Sequence, residues 1–233
     1  GTKYNNKASN QLIFEIMNEP YSDEGEFTTE NLFKNEVQVV KAIRSNNLNN
    51  WILMDGTHWD GLHSWTTQKG PADKTNSEVF TRENLDKYLP NDKYIGVDLH
   101  QYFDSNFSGL RQECVSLEDF KSRSNLNSLM SWANTNKIPF ILGEFGASAQ
   151  SNCKEDMNYL LNYLSNHPYS ADQGGFIGWT AWRANRNLGA NQNNTLNAAN
   201  PYVYCLSDGS QCQGIKKGDS NALVTDVLDQ YLI

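Results

Sequence analysis

Phe14-Glu15-Ile16-Met17-Asn18-Glu19-Pro20 near the start of the chain and Ile141-Leu142-Gly143-Glu144-Phe145-Gly146 well downstream are apolar runs that end on a carboxylate beside strand-breaking residues. A glutamate in that position contributes little to packing. If both runs are strands of one parallel barrel, Glu19 and Glu144 converge on its carboxyl-terminal mouth, where barrel enzymes keep their chemistry. Two carboxylates facing one bond suit glycosidic cleavage: one protonates the leaving oxygen while the other attacks the sugar carbon or activates a water. Taken singly, either glutamate reads as an ordinary solvated or salt-bridged side chain. The repetition of the pattern favours the chemical reading.

The elements that must position this pair alternate along the chain. Strand candidates fall at Gln11 to Met17, Trp51 to Asp55, Tyr94 to Leu99, Pro139 to Gly143 and Phe176 to Trp179, with helical periodicity at Leu32 to Arg44, Leu117 to Trp132 and Lys154 to Leu164. A further helix is predicted for Asn221 to Leu232. Repeated βα units imply a parallel sheet covered by helices, an α/β fold in one domain over residues 1–233. Trp132, on a helix face, is expected in the core, and His58 and His63, which flank Trp59 without metal-ligand spacing, in loops. With four histidines so placed, no catalytic metal and no cofactor are expected.

Composition narrows the partners. There are 27 acidic against 19 basic residues, a formal charge of −8, and no basic cluster, so nucleic acid and anionic membranes are poor candidates. No run reaches the roughly 20 apolar residues of a membrane span. The polar opening segment lacks a signal-peptide pattern, so a mature or trimmed product is expected. Six Trp and eleven Tyr in a chain of low mean hydropathy suggest amphipathic rings along a wet surface, with the rest in the core. Four cysteines allow three pairings. Cys205 and Cys212 enclose a short polar loop, for which a local disulfide is the simpler reading, leaving Cys114 to pair with Cys153. Disulfides, with sequons at Asn106 and Asn193, point to a secreted, extracellular protein.

Asn18-Glu19-Pro20, Glu144 between Gly143 and Gly146, His100-Gln101-Tyr102 after an apolar strand, and Gly175-Phe176-Ile177-Gly178-Trp179 together resemble glycoside hydrolase family 5, and most of all its fungal endoglucanases. The resemblance covers about residues 12–233. It implies a (β/α)8 TIM barrel, here apparently N-terminally incomplete, comprising strands four to eight. Strands one to three, with an arginine and a histidine of the catalytic mouth, have no counterpart. It implies retaining cleavage of internal β-1,4-glucosidic bonds, with Glu19 as general acid and base, its carboxyl held protonated by the neighbouring carboxylate, and Glu144 as nucleophile, the two roughly 5–5.5 Å apart. Asn18 is expected on the sugar 2-OH, Tyr102 orienting Glu144, and His100 lining the same subsite rather than sitting as a core histidine satisfied by backbone. Trp179 matches the family's eighth-strand tryptophan, with Trp182 its competitor, and Trp59 is a leaving-side platform. The Cys114–Cys153 pairing also resembles one among fungal members.

The expected partner is a β-glucan polysaccharide or oligosaccharide, with cellulose, mixed-linkage glucan and mannan all open. Two rival readings stand beside the enzyme: a non-catalytic carbohydrate-binding remnant, and a fragment that completes a partner chain. A sheet of five strands leaves two parallel edges, so a second copy or an N-terminal fragment is expected to cover them.

Overall fold

The computed structural model describes residues 12–21, 28–68, 74–111, 113–147, 151–182, 204–205, 212–213 and 227–231. Five strands, β1 (Ile13–Glu15), β2 (Trp51–Met54), β3 (Ile95–Tyr102), β4 (Pro139–Gly146) and β5 (Gly175–Ala181), form one sheet in sequence order. Pairing is parallel, with Phe14 opposite Ile52 and Leu53 opposite Gly96. Each connection carries helix, as a parallel crossover requires. They are α1 (Thr29–Arg44), α2 (Asn76–Val79), α3 (Arg82–Tyr88), α4 (Leu117–Arg123), α5 (Leu126–Asn136) and α6 (Ser151–Ser165). The expected α/β architecture, with five parallel strands and no closure among the described residues, is therefore present.

The chain divides into two compact units. The first holds residues 1–100, 124–142 and 167–178. Its α1 is capped by Thr28, whose hydroxyl accepts the Asn31 N–H, and ends on Lys41 and Arg44, cations suited to the negative end of the helix dipole. Val37 and Val40 are buried from α1, as are Ile52 and Met54 from β2. Beside them Trp65 packs on Phe80 and Trp132 at centroid distances of 5.3 and 5.2 Å, and the Trp132 indole N–H donates to the Phe80 carbonyl at 2.9 Å. Trp132 is thus core, as its helical spacing predicts.

The second unit holds residues 101–123, 143–166 and 179–233. Phe103, Phe107 and Tyr159 surround the buried Phe120. Cys114 and Cys153 form a disulfide with Cα atoms 5.2 Å apart, the predicted pairing. The backbones of β6 (Tyr204–Cys205) and β7 (Cys212–Gln213) pair antiparallel with Cys205 opposite Cys212; the side chains lie outside the described residues, and with them the second predicted disulfide.

Several boundaries differ from the sequence expectation. The helix expected over Leu117 to Trp132 is two helices, broken where Asn125 takes a left-handed conformation, φ 54°. Helices α2 and α3 were not expected, being too short for apolar periodicity, although Thr75 and Glu78 form a capping box. Strands β3 and β4 run three residues further than expected, so His100, Tyr102 and Glu144 sit within strands rather than after them. Of the C-terminal helix, residues 227–231 are described, with a 3-10 turn at Leu228–Tyr231; Asn193 and the rest of that segment lie outside the described residues.

Candidate active site

In the first unit, side chains at 98 and 100 share one side of β3 because strand residues alternate. His100, 4% exposed, meets Glu19 Oε1 through Nδ1 at 2.8 Å and Asp98 Oδ2 through Nε2 at 3.3 Å. Burial opposes the charge on this ring, but the two carboxylate hydrogen bonds outweigh it and raise the imidazole to about 10. Both ring nitrogens then donate, and Glu19 is held by an imidazolium. Glu15, Asp98 and His100 each offer a ligand atom within 4.8 Å of the others.

Glu19 itself is half-buried and left-handed, φ 49°, a conformation that costs a non-glycine residue about 1–2 kcal/mol. Its N–H is accepted by Asp60 Oδ2 at 3.0 Å, and that of Met17 by Asp55 Oδ2 at 2.7 Å. Asp55 and the buried Glu36 interact directly. Burial, then the Asp55 charge, push Glu36 well up, while burial raises Asp55 to about 7 against the pull of the Met17 N–H. Trp59, 47% exposed, stacks on Tyr21 with centroids 3.8 Å apart and planes 6° from parallel, and its N–H reaches the Pro20 carbonyl. The pair is an amphipathic platform beside the Glu19 segment. Asn18 is exposed, while His58 and His63 lie in the turns after β2.

In the second unit, the Tyr102 hydroxyl donates to Glu144 Oε1 in a short hydrogen bond. Gly109, at φ +70°, lies against the Tyr102 ring so closely that a Cβ there would sit 2.7 Å from it. The turn carrying Gly109 is tied by Asp104, whose carboxylate accepts the Gly109 N–H at 2.9 Å and the Ser108 hydroxyl at 2.7 Å. Past this turn, Cys114 is bridged to α6 through Cys153. Trp179 meets Phe145 edge-on at 5.6 Å and is half-buried; Trp182 is 39% exposed, its N–H on the Phe145 carbonyl.

Glu144 therefore meets Tyr102, and Glu19 meets His100, a contact that the sequence reading did not name. Residues 1–187 match the family described as Cellulase (glycosyl hydrolase family 5). The chain belongs to that family. Among curated relatives, Endoglucanase 1 of Robillarda sp. is 33% identical over 181 residues, 78% of this chain and 41% of the relative. Among solved structures, XacCel5A in complex with cellopentaose is 25% identical with a TM-score of 0.67, covering 92% of this chain and 59% of that one. Cel5A (EG2) of Hypocrea jecorina (Trichoderma reesei), 22% identical with a TM-score of 0.66, covers 97% and 58% and shares the fold. The chain thus spans about 40% of the length of the curated relatives and 60% of the solved ones, consistent with a family 5 barrel represented in part.

Sequence reading missed Tyr21, Glu36, Asp55, Asp60 and Asp98. For Asp98 a signal was present, since Asp98-x-His100-x-Tyr102 alternates along one strand. Asp55-Gly56 and Asp60-Gly61 read as turn dipeptides, a signal that hides the carboxylates' second use.

Proposed function

We propose that this chain carries the double-displacement machinery of a retaining endo-β-1,4-glucanase, with Glu144 as nucleophile and Glu19 as general acid and base. The observation that carries the reading is the separate fixing of each glutamate, Glu144 by the Tyr102 hydroxyl and Glu19 by the His100 ring. In the first step a Glu144 oxygen attacks the anomeric carbon, the bond to the leaving sugar oxygen breaks, and Glu19 gives that oxygen a proton. In the second, Glu19 takes a proton from water, whose oxygen attacks the same carbon and releases Glu144. Since His100 occupies Oε1 of Glu19, Oε2 is the oxygen left for the substrate. Asn18 on the sugar 2-OH, and Trp59, Trp179 and Trp182 under sugar faces, complete the proposed site.

The substrate class is a β-1,4-glucan, a reading supported by the cellopentaose held by the related XacCel5A. A disulfide-containing chain of this family fits a secreted, extracellular enzyme. Ile13 and Met17 are exposed along β1 and its end, and a groove of about 400 Å³ lies between Phe14 and Ile16 of that segment and the exposed Val39 of α1, which supports a covering partner, a second copy or an N-terminal fragment. Such a contact should exceed about 1,000 Å².

The experiment compares Glu144→Ala and Glu19→Ala on a soluble β-glucan and on an aryl glycoside with a good leaving group. Loss of Glu144 should abolish turnover, with azide restoring an inverted product; loss of Glu19 should spare the first step on the activated substrate, which needs no proton. Near wild-type turnover by Glu144→Ala refutes the assignment. The partial coverage of the relatives favours a second reading, a carbohydrate-binding form without turnover. Saturable cellopentaose binding with no hydrolysis would select it.

A further inference from the structure

Where β1 ends, the Ile16 N–H still reaches the Leu53 carbonyl at 3.3 Å, and beyond it two main-chain N–H groups meet carboxylates, Met17 on Asp55 and Glu19 on Asp60. Asp60 makes further contacts. Its Oδ1 accepts the Gly56 N–H, and its main-chain carbonyl accepts the His100 N–H at 2.8 Å, with the Leu62 N–H returning to the His100 carbonyl at 2.8 Å. One residue thus grips Glu19 by its side chain and His100 by its backbone, and the side chains of those two meet at 2.8 Å. The arrangement is held against resistance. His58, Trp59 and Asp60 are consecutive left-handed residues, φ 63°, 55° and 53°, and Asp60 is fully buried, which, with the Asp55 charge, pushes its carboxyl well up.

We propose that Asp60 is a positioning residue for Glu19: by accepting the Glu19 N–H it fixes the left-handed backbone that directs the Glu19 carboxyl onto His100. The proposal rests on the reading of Glu19 as the acid. A carboxylate is required because both of its oxygens accept; an asparagine would turn an NH2 group toward one of the two N–H donors.

The test is a double-mutant cycle on the full chain, reading the His100 imidazole titration by NMR in the wild type, Asp60→Asn, Glu19→Gln and the double variant. Carboxyl groups facing His100 within its unit are those of Glu15, Glu19, Asp60 and Asp98, and the direct effect of Asp60 on the ring is removed equally in both backgrounds. If Asp60 places Glu19, its loss should lower the His100 protonation constant about tenfold more when Glu19 is present than when it is Gln, about 1.4 kcal/mol of coupling. Equal falls in the two backgrounds overturn the proposal. Should Asp60→Asn fail to fold, the wild type suffices: a scalar coupling across the hydrogen bond from the Glu19 amide nitrogen to the Asp60 carboxyl carbon is expected, and its absence while the Gly56 coupling is present overturns the proposal. Neither readout needs turnover. If Glu19→Ala fails to discriminate between activated and unactivated glycosides, the acid assignment fails on its own, with the cycle still interpretable.

Discussion

His100 should make the stability of this chain fall steeply on the alkaline side. Its imidazole stands at about 10 in the folded chain against 6.5 ordinarily, a rise of about 3.5, and at 1.36 kcal/mol per unit the charged ring contributes roughly 4 to 5 kcal/mol. Because the folded value is raised, that contribution is complete below about pH 6.5 and is lost as pH climbs to about 10. Asp55 and Asp156, both raised to about 7, withdraw stability between about pH 4 and 7 and are ionised above it, while Glu36 and Asp60, also pushed up, lose stability in the same direction as His100 when they ionise. Urea unfolding at half-unit pH intervals should show a loss of about 4 to 5 kcal/mol or more between pH 7 and 10, and in His100→Gln, destabilised at pH 7 by the unpaired Asp98 and Glu19, the slope should be shallower by the His100 share. A wild-type chain equally stable at pH 7 and 9.5 would refute the imidazolium clamp.

Other consequences are also measurable. Asp156 is fully buried in α6, no donor among the described residues reaches either oxygen, and burial, then the Glu155 and Asp119 charges, raise it; Asp156→Asn should be more stable at pH 8 by about 2 kcal/mol or more, with no gain at pH 4, by thermal melts. Tyr102→Phe removes a charge-assisted hydrogen bond worth about 1.5–3 kcal/mol, so turnover should fall about 10- to 100-fold with the fold intact; Gly109→Ala should reproduce that loss by displacing the ring and also lower the melting temperature. The Cys114–Cys153 bridge closes a separation of 39 residues, about 4 kcal/mol by chain entropy, which Cys153→Ala should forfeit in urea unfolding.

Much of the candidate site was legible because strands write their chemistry in short, ordered motifs. Asn18-Glu19-Pro20, His100-Gln101-Tyr102 and Glu144 each lie at or just beyond the end of an apolar run, and in the structure Tyr102 meets Glu144 while His100 meets Glu19, a pairing the motifs alone did not name. What stayed hidden depends on loop conformation. Asp55 and Asp60 read as solvated turn residues, and nothing in their spacing says that successive left-handed residues at 58–60 would fold a carboxylate back onto the Glu19 N–H. Asn125 broke a helix whose apolar period runs on through it, since periodicity records which faces are buried and is blind to one residue of positive φ.

The central claim, that Glu144 is the nucleophile of a retaining glycosidase, is tested most directly by trapping the intermediate with a 2-deoxy-2-fluoro-β-cellobioside carrying a good leaving group, followed by peptide mass mapping. The fluorine slows both steps and the leaving group restores the first, so the account predicts one fluorocellobiosyl adduct, on the peptide containing Glu144 and absent from Glu144→Ala. Turnover of β-glucan with an adduct on another carboxylate, or with an inverted product and no adduct, would contradict it.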